Sequence, residues 1–217
     1  MLENIKTIFF DFDGTIHDSS RIYVPSFRKA YNYLVKEGYS KEREWSKEQI
    51  IYWLGFTSVE MWNNFMPDLD EKVRAKASRI IGKEMLEQLS MGYGHLYDGA
   101  LEVLQYLKEK GYSLIFLSNC GTSYKKKVNE VFELDKYFSD LICSEDYNFI
   151  PKHIIMNNII NNYPKEMIMV GDRIHDIETG KQNNIITIGC TYGYGNEKEL
   201  QEADYKINSI RKLKELV

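Results

Sequence analysis

Short, continuously apolar runs separated by segments of helical spacing set the plan of this chain. Five runs occupy residues 5–10, 113–118, 140–143, 167–170 and 185–188. Unbroken apolarity over so few residues is what a strand buried on both faces requires. Between the runs, apolar residues recur every three or four positions. Leu101, Leu104 and Leu107 share one face of a helix that Asp98 is placed to cap and Gly111 to close. Ile154, Ile155, Asn158 and Ile159 mark another helix, and residues 178–183 a short third. Strand and helix in alternation predict an α/β fold, a Rossmann-like parallel sheet covered on both faces.

The stretch between the first two runs breaks this alternation and contains no convincing strand. Residues 20–37 read as a helix with Phe27, Tyr31 and Leu34 on one face and Gly38 at its end. Ser46-Lys47-Glu48-Gln49 and Thr57-Ser58-Val59-Glu60 both fit the capping-box pattern, which predicts two short helices. Asp68-Leu69-Asp70-Glu71 opens a longer helix carrying Val73, Ala77, Ile81, Met85 and Leu89, and Gly92-Tyr93-Gly94 is the expected return hinge. The segment is therefore a helical insert seated over the sheet edge. Its clustered aromatics (Trp45, Tyr52, Trp53, Phe56, Trp62, Phe65) are expected to form its core rather than a binding surface.

Composition narrows the function classes. With 217 residues, 43 % of them hydrophobic and 28 % charged, the chain has ample material for a core. A formal net charge of −4 disfavours nucleic acid as a partner. Three cysteines (Cys120, Cys143, Cys190) have neither metal-ligand spacing nor the even count of a disulfide framework, which points to a reducing cytoplasm. No apolar stretch approaches the ~20 residues of a membrane span, and the first residues lack a signal-peptide pattern. A cytoplasmic protein without membrane association is expected.

The chemistry begins at Asp11-Phe12-Asp13-Gly14-Thr15, directly after the first apolar run. Two carboxylates one residue apart at the end of a buried strand repel each other and lose hydration, so a cation or a reaction must use them. A division of labour follows naturally, with Asp11 attacking an electrophile and Asp13 carrying a proton. Ser118 and Asn119 end the second run, Pro151-Lys152 starts a helix, and Gly171-Asp172-Arg173-Ile174-His175-Asp176 ends the fourth run. In an open parallel sheet, ligands bind at the carboxyl ends of strands where the chain order reverses. If the first strand is central, with the second and fourth beside it, these groups converge. Four acids there need a counter-ion, and hard oxygen ligands suit Mg²⁺. With Lys152 and the Ser118 hydroxyl beside a nucleophilic carboxylate, the set suits a phosphoryl dianion.

In this pattern the chain resembles the haloacid dehalogenase superfamily, in its phosphoglycolate phosphatase-like subgroup with a helical cap. Asp11-Phe12-Asp13-Gly14-Thr15, Ser118, Lys152 and Gly171-Asp172 through Asp176 stand in the family's order. Two departures are visible: Pro151-Lys152-His153 stands where Lys-Pro is common, and Arg173 and His175 lie between the acids of the last motif. The resemblance implies a core of residues 1–16 and 95–217 and a helical cap over 17–94. It further implies a Mg²⁺-dependent phosphatase that hydrolyses a small phosphorylated metabolite through an aspartyl-phosphate. Asp11 would be the nucleophile and Asp13 the acid and base. The metal would be held by Asp11, Asp13 (through its carbonyl) and Asp172, with Asp176 in support. Ser118, Asn119 and Lys152 would bind the phosphate, and Phe56 and Thr57 in the cap could set specificity. Thr57 also reads as a helix cap, His17 as a surface residue, and Lys125-Lys126-Lys127 as an exposed helix face. A phosphomutase would share the chemistry and differ in its cap. A dehalogenase would not need Asp13, and a phospho-acceptor switch would not need the insert. A monomer or small homo-oligomer is expected.

Overall fold

The computed structural model describes residues 2–217. After β1 (Thr7–Phe10), four helices precede the second strand: α1 (Ser20–Lys36), α2 (Lys47–Ile51), α3 (Ser58–Phe65) and α4 (Glu71–Ser90). Helix and strand then alternate through α5 (Ala100–Glu109), β2 (Ser113–Ser118), α6 (Thr122–Phe132), β3 (Asp140–Cys143), α7 (Lys152–Ile159), β4 (Met167–Gly171), α8 (Ile174–Gln182) and β5 (Ile186–Cys190). The short strand β6 (Tyr205–Ile207) and helix α9 (Leu213–Leu216) complete the chain.

All six strands run parallel in one sheet of order β3-β2-β1-β4-β5-β6. The α/β core is thus the one its hydrophobic pattern predicts, with β1 between β2 and β4. Phe10 lies opposite Phe116 on one side and Val170 on the other. Because side chains alternate along a strand, Ile8 and Phe10 enter one apolar cluster with Leu104, Leu107 and Val128, while Phe9 enters another with Ile155, Met156 and Ile159. Both faces are dry, which is why Ile8, Phe9 and Phe10 are apolar in succession, while the buried Thr7 hydroxyl donates to the Pro164 carbonyl at 2.9 Å.

The helices of the insert have a cluster of their own. Phe27, Ala30 and Leu34 of α1 pack with Val73, Ala77 and Ile81 of α4. The start of α2 is a complete capping box: Ser46 Oγ accepts from the Gln49 amide at 3.2 Å, and Gln49 Oε1 accepts from the Ser46 amide at 3.1 Å. At α3 one arm of the expected box is present, Thr57 Oγ1 accepting from the Glu60 amide. Asp70 caps α4 through the amides of Lys72 and Val73.

Three local expectations need correction, and one strand adds to them. Asp98 does not cap α5; Gly99 stands at that position with φ +81°, and the Asp98 carboxylate pairs with Arg211 instead. The buried face of α5 is Ala100, Val103, Leu104 and Leu107, leaving Leu101 exposed. Ile154 is likewise exposed while its neighbour Ile155 is buried. Finally, β6 is a strand that hydrophobic patterning does not reveal, since only Ile207 of its three residues is buried. Among the described residues, no helix is long and apolar enough to cross a membrane.

Candidate active site

The carboxyl end of β1 leads straight into a tight loop. Asp11 keeps the sheet pairing for one more residue, its amide donating to the Val170 carbonyl. The Phe12 carbonyl then accepts from the amides of Thr15, Ile16 and His17, folding the chain back on itself. Gly14 permits this turn with φ +93°, and a Cβ there would collide with the Asp172 carboxylate. The glycine therefore serves both the backbone and the space for an acid from β4.

Asp11, Asp172 and Asp176 each place a carboxylate oxygen within 4.8 Å of the others, and all three are buried. Lys152 Nζ bridges two of them, 2.7 Å from Asp11 Oδ1 and 2.6 Å from Asp176 Oδ1. Asp172 Oδ2 accepts from the Tyr194 amide at 2.6 Å, and Asp176 Oδ2 from the Arg173 amide at 3.0 Å. One ammonium cannot balance three carboxylates. Burial drives the Asp11 pKa up to about 7, against the pull of Lys152 and with the charges of Asp176 and Asp13 adding to it. Burial, then Asp11 and Asp176, raise that of Asp172 well above the carboxylate range. For Lys152, burial opposes the charge, but Asp11 and Asp176 outweigh it and the ammonium is held. Asp11 Oδ2 is buried with no hydrogen-bond partner. An excess of anionic, hard oxygen donors with one of them orphaned fits a divalent cation.

These shifts carry a stability prediction. A carboxyl whose pKa is raised by folding favours the fold fully below its ordinary value of 3.8 and loses that contribution as pH rises through about 7. Asp11→Asn is neutral at every pH. In chelator, its melting temperature is expected to gain on that of the native chain as pH is raised from 4 to 7. A difference that does not change with pH would remove Asp11 as the titrating group.

Asp13 stands apart from the buried triad, at the cavity wall. Its Oδ1 accepts from the Tyr124 hydroxyl at 2.7 Å and lies 3.0 Å from His17 Nδ1. Burial, then the charge on Asp13, push the Tyr124 phenol well above its ordinary range, so it remains a donor. His17 is fully buried and stacked on Phe12, which corrects its reading as a surface residue. Its Nε2 has no partner, so Nδ1 is the ring nitrogen that joins the network. Tyr124 was not anticipated, because it sits at the start of a helix whose lysines dominate the pattern. Its one sequence signal is its place, on the first turn after β2.

Ser118, the last residue of β2, is buried and borders the same cavity as Asp11 and Asp13. Asn119 Nδ2 donates to the Gly55 carbonyl at 3.0 Å, tying β2 to the helical insert. Arg173 does the same from β4. Its Nη1 donates to the carbonyls of Tyr52 and Leu54, its Nε pairs with Glu199 at 2.7 Å, and its guanidinium lies 4.9 Å from the Phe56 ring. His175 meets Phe56 edge-on at 5.2 Å. The two unusual residues of the last acidic motif thus grip residues 52–56. Thr57 is occupied as the cap of α3, whereas Phe56 borders the cavity.

That cavity, about 660 Å³, lies between the ends of β1 and β2 and the insert. Trp53, Phe56 and Trp62 form its far wall. The expectation that the clustered aromatics serve only as core is corrected on this point: they pack together and also face the acids across open space. Tyr52, expected inside, is half-exposed.

Residues 8–190 match the family model of the haloacid dehalogenase-like hydrolases. The phosphoglycolate phosphatase of Vibrio parahaemolyticus is 27 % identical, over 99 % of this chain and 97 % of its own length. Pyrophosphatase PpaX of Listeria monocytogenes is 25 % identical, over 93 % of this chain and 90 % of its own. A crystal structure described as a predicted phosphatase from Clostridium acetobutylicum is similar with a TM-score of 0.83 at 25 % identity, covering 98 % of this chain and 97 % of that one.

Proposed function

The chain belongs to the haloacid dehalogenase-like hydrolase family, and from its site we propose a Mg²⁺-dependent phosphatase that hydrolyses small phosphorylated metabolites through an aspartyl-phosphate. The observation that carries this reading is Asp11 itself, a cavity-lining carboxylate with one oxygen held by Lys152 and the other free of any partner. A carboxyl oxygen of a cavity-lining residue that no hydrogen bond occupies is a nucleophile in waiting.

In the first step an Asp11 oxygen attacks phosphorus and the ester P–O bond breaks. Asp13, in its protonated form, gives its proton to the departing alkoxide. In the second step the Asp13 carboxylate takes a proton from water, whose oxygen attacks the same phosphorus. Phosphate leaves and the Asp11 carboxylate is restored. Tyr124 and His17 hold Asp13 in place for both transfers. Ser118 donates to a phosphoryl oxygen, Asn119 borders the same position, and Lys152 balances the charge of Asp11. Asp11, Asp172 and the Asp13 carbonyl, supported by Asp176, would hold Mg²⁺, which when bound offsets the negative charge of the phosphoryl group. Residues 17–94 act as a cap on the core of 1–16 and 95–217, with Phe56 near the substrate and Thr57 fixing the start of α3.

Two experiments test this. Chelation should abolish release of phosphate from an aryl phosphate, and added Mg²⁺ should restore it; turnover that ignores chelator would remove the metal. Asp13→Asn should lower turnover by roughly 10²- to 10⁴-fold, the usual worth of a positioned acid–base group. A rate close to that of the native chain would take Asp13 out of the mechanism.

A further inference from the structure

The cavity is far larger than a two-carbon phosphate ester needs. Its volume is about 660 Å³. It falls within the roughly 300–1,000 Å³ of sites that enclose drug-sized ligands. A small ester would leave most of that space to water beside an intermediate that water destroys.

The wall opposite the acids has a definite chemistry. Trp53 and Phe56 lie edge to face, with ring centroids 5.9 Å apart. Phe56 is braced from behind by the Arg173 guanidinium and the His175 ring, so it is a fixed surface rather than a loose plug. Trp62 is also fixed, its Nε1 donating to Ser78 Oγ at 2.6 Å. Besides Asp11 Oδ2, two polar atoms of cavity-lining residues are buried without partners, the donor Trp53 Nε1 and the acceptor Asn119 Oδ1. The orientation of the Asn119 amide follows from its Nδ2 bond to Gly55. Both atoms lie beneath the cavity surface, so the aromatic faces are what a ligand meets there.

We propose that the substrate is a phosphomonoester bearing a flat heteroaromatic group, a nucleoside monophosphate in class, with the base against Trp53 and Phe56 and the phosphate at Asp11. A nucleobase offers a broad stacking face, which matches the aromatic wall formed by Trp53 and Phe56. This rests on the phosphatase reading above, because the reaction remains cleavage of the P–O bond by Asp11 with the alcohol, here a nucleoside, as leaving group.

The test compares phosphate release by the full-length protein with Mg²⁺ from adenosine and uridine 5′-monophosphates, phosphoglycolate, glycerol phosphate, pyrophosphate and acetyl phosphate. The better nucleotide is expected to exceed every non-aromatic compound in kcat/KM by at least tenfold. Trp53→Ala should lower the nucleotide-to-acetyl-phosphate ratio of kcat/KM by roughly 10- to 100-fold, and Trp53→Phe should restore part of it by keeping a ring. Should Trp53→Ala fail to fold, quenching of tryptophan fluorescence in Asp11→Asn by adenosine monophosphate, and not by phosphoglycolate, gives the same information. A chain that hydrolyses phosphoglycolate or pyrophosphate as efficiently as nucleotides overturns the aromatic assignment and keeps the phosphatase. A chain that releases phosphate from none of them overturns the phosphatase, and absence of nucleotide quenching then overturns the base site as well.

Discussion

Asp11→Asn is expected to cut turnover of an aryl phosphate by roughly 10⁴-fold or more, the scale of losing a nucleophile from a group of residues that act as a unit. The amide keeps the shape of the carboxylate but cannot form an acyl phosphate. The side chain is buried and its carboxyl resists ionisation, so a neutral isostere suits the fold. Loss of rate should therefore come without loss of structure. Acid-quenched native enzyme should carry a labile phosphate on the peptide containing Asp11, and the variant none. Retention of more than about one per cent of the native rate by purified Asp11→Asn would mean that another residue attacks phosphorus.

Lys152→Met should have the largest effect on stability. The ammonium lies within hydrogen-bond distance of Asp11 and Asp176, and neither partner is more than 5 % exposed. Taking it away leaves three buried carboxylates facing one another. Breaking a buried ion pair by removing one partner costs roughly 3–5 kcal/mol, to be read by urea unfolding in chelator. Lys152→Arg, which keeps a charge but not the shape of the site, should lose less. A divalent cation should return part of the lost stability to Lys152→Met, because it brings back positive charge to the same oxygens. An unchanged unfolding midpoint in chelator would show that Lys152 does not neutralise the cluster.

The sheet was legible because its strands are buried on both sides, and that condition writes itself into consecutive residues. The acids at the ends of β1 and β4 were legible for a related reason: carboxylates following dry strands are costly enough to signal a use. The Ser46 capping box could be read because all its groups lie within four residues. Contacts formed across long separations left no such trace. Nothing around His17 tells that Phe12 covers it and Tyr124 closes over it. The grip of Arg173 on residues 52–54 joins segments more than a hundred residues apart, so neither end announces the other. Asp98 has every local quality of a helix cap and was lost to a pairing with Arg211. Trp53, Phe56 and Trp62 were recognisable as interior residues, but an aromatic that packs and an aromatic that walls a cavity have the same spacing. The short edge strand β6 shows the opposite limit, where one buried residue in three is too little pattern to read.

The position of β1 has a consequence for how the molecule assembles. Phe9 must find Ile115 and Met169, which the ribosome makes long afterwards. Synthesis proceeds at about 5–20 residues per second, so the first strand waits several seconds as an apolar segment without neighbours. The four helices that follow it wait less, since most of their apolar contacts form once α4 emerges and only a few, those of Ile22 and Leu89 among them, are made with the sheet core. Nascent chains should thus carry a largely packed helical lobe beside an unpaired strand, and that strand is where a chaperone would have most to protect.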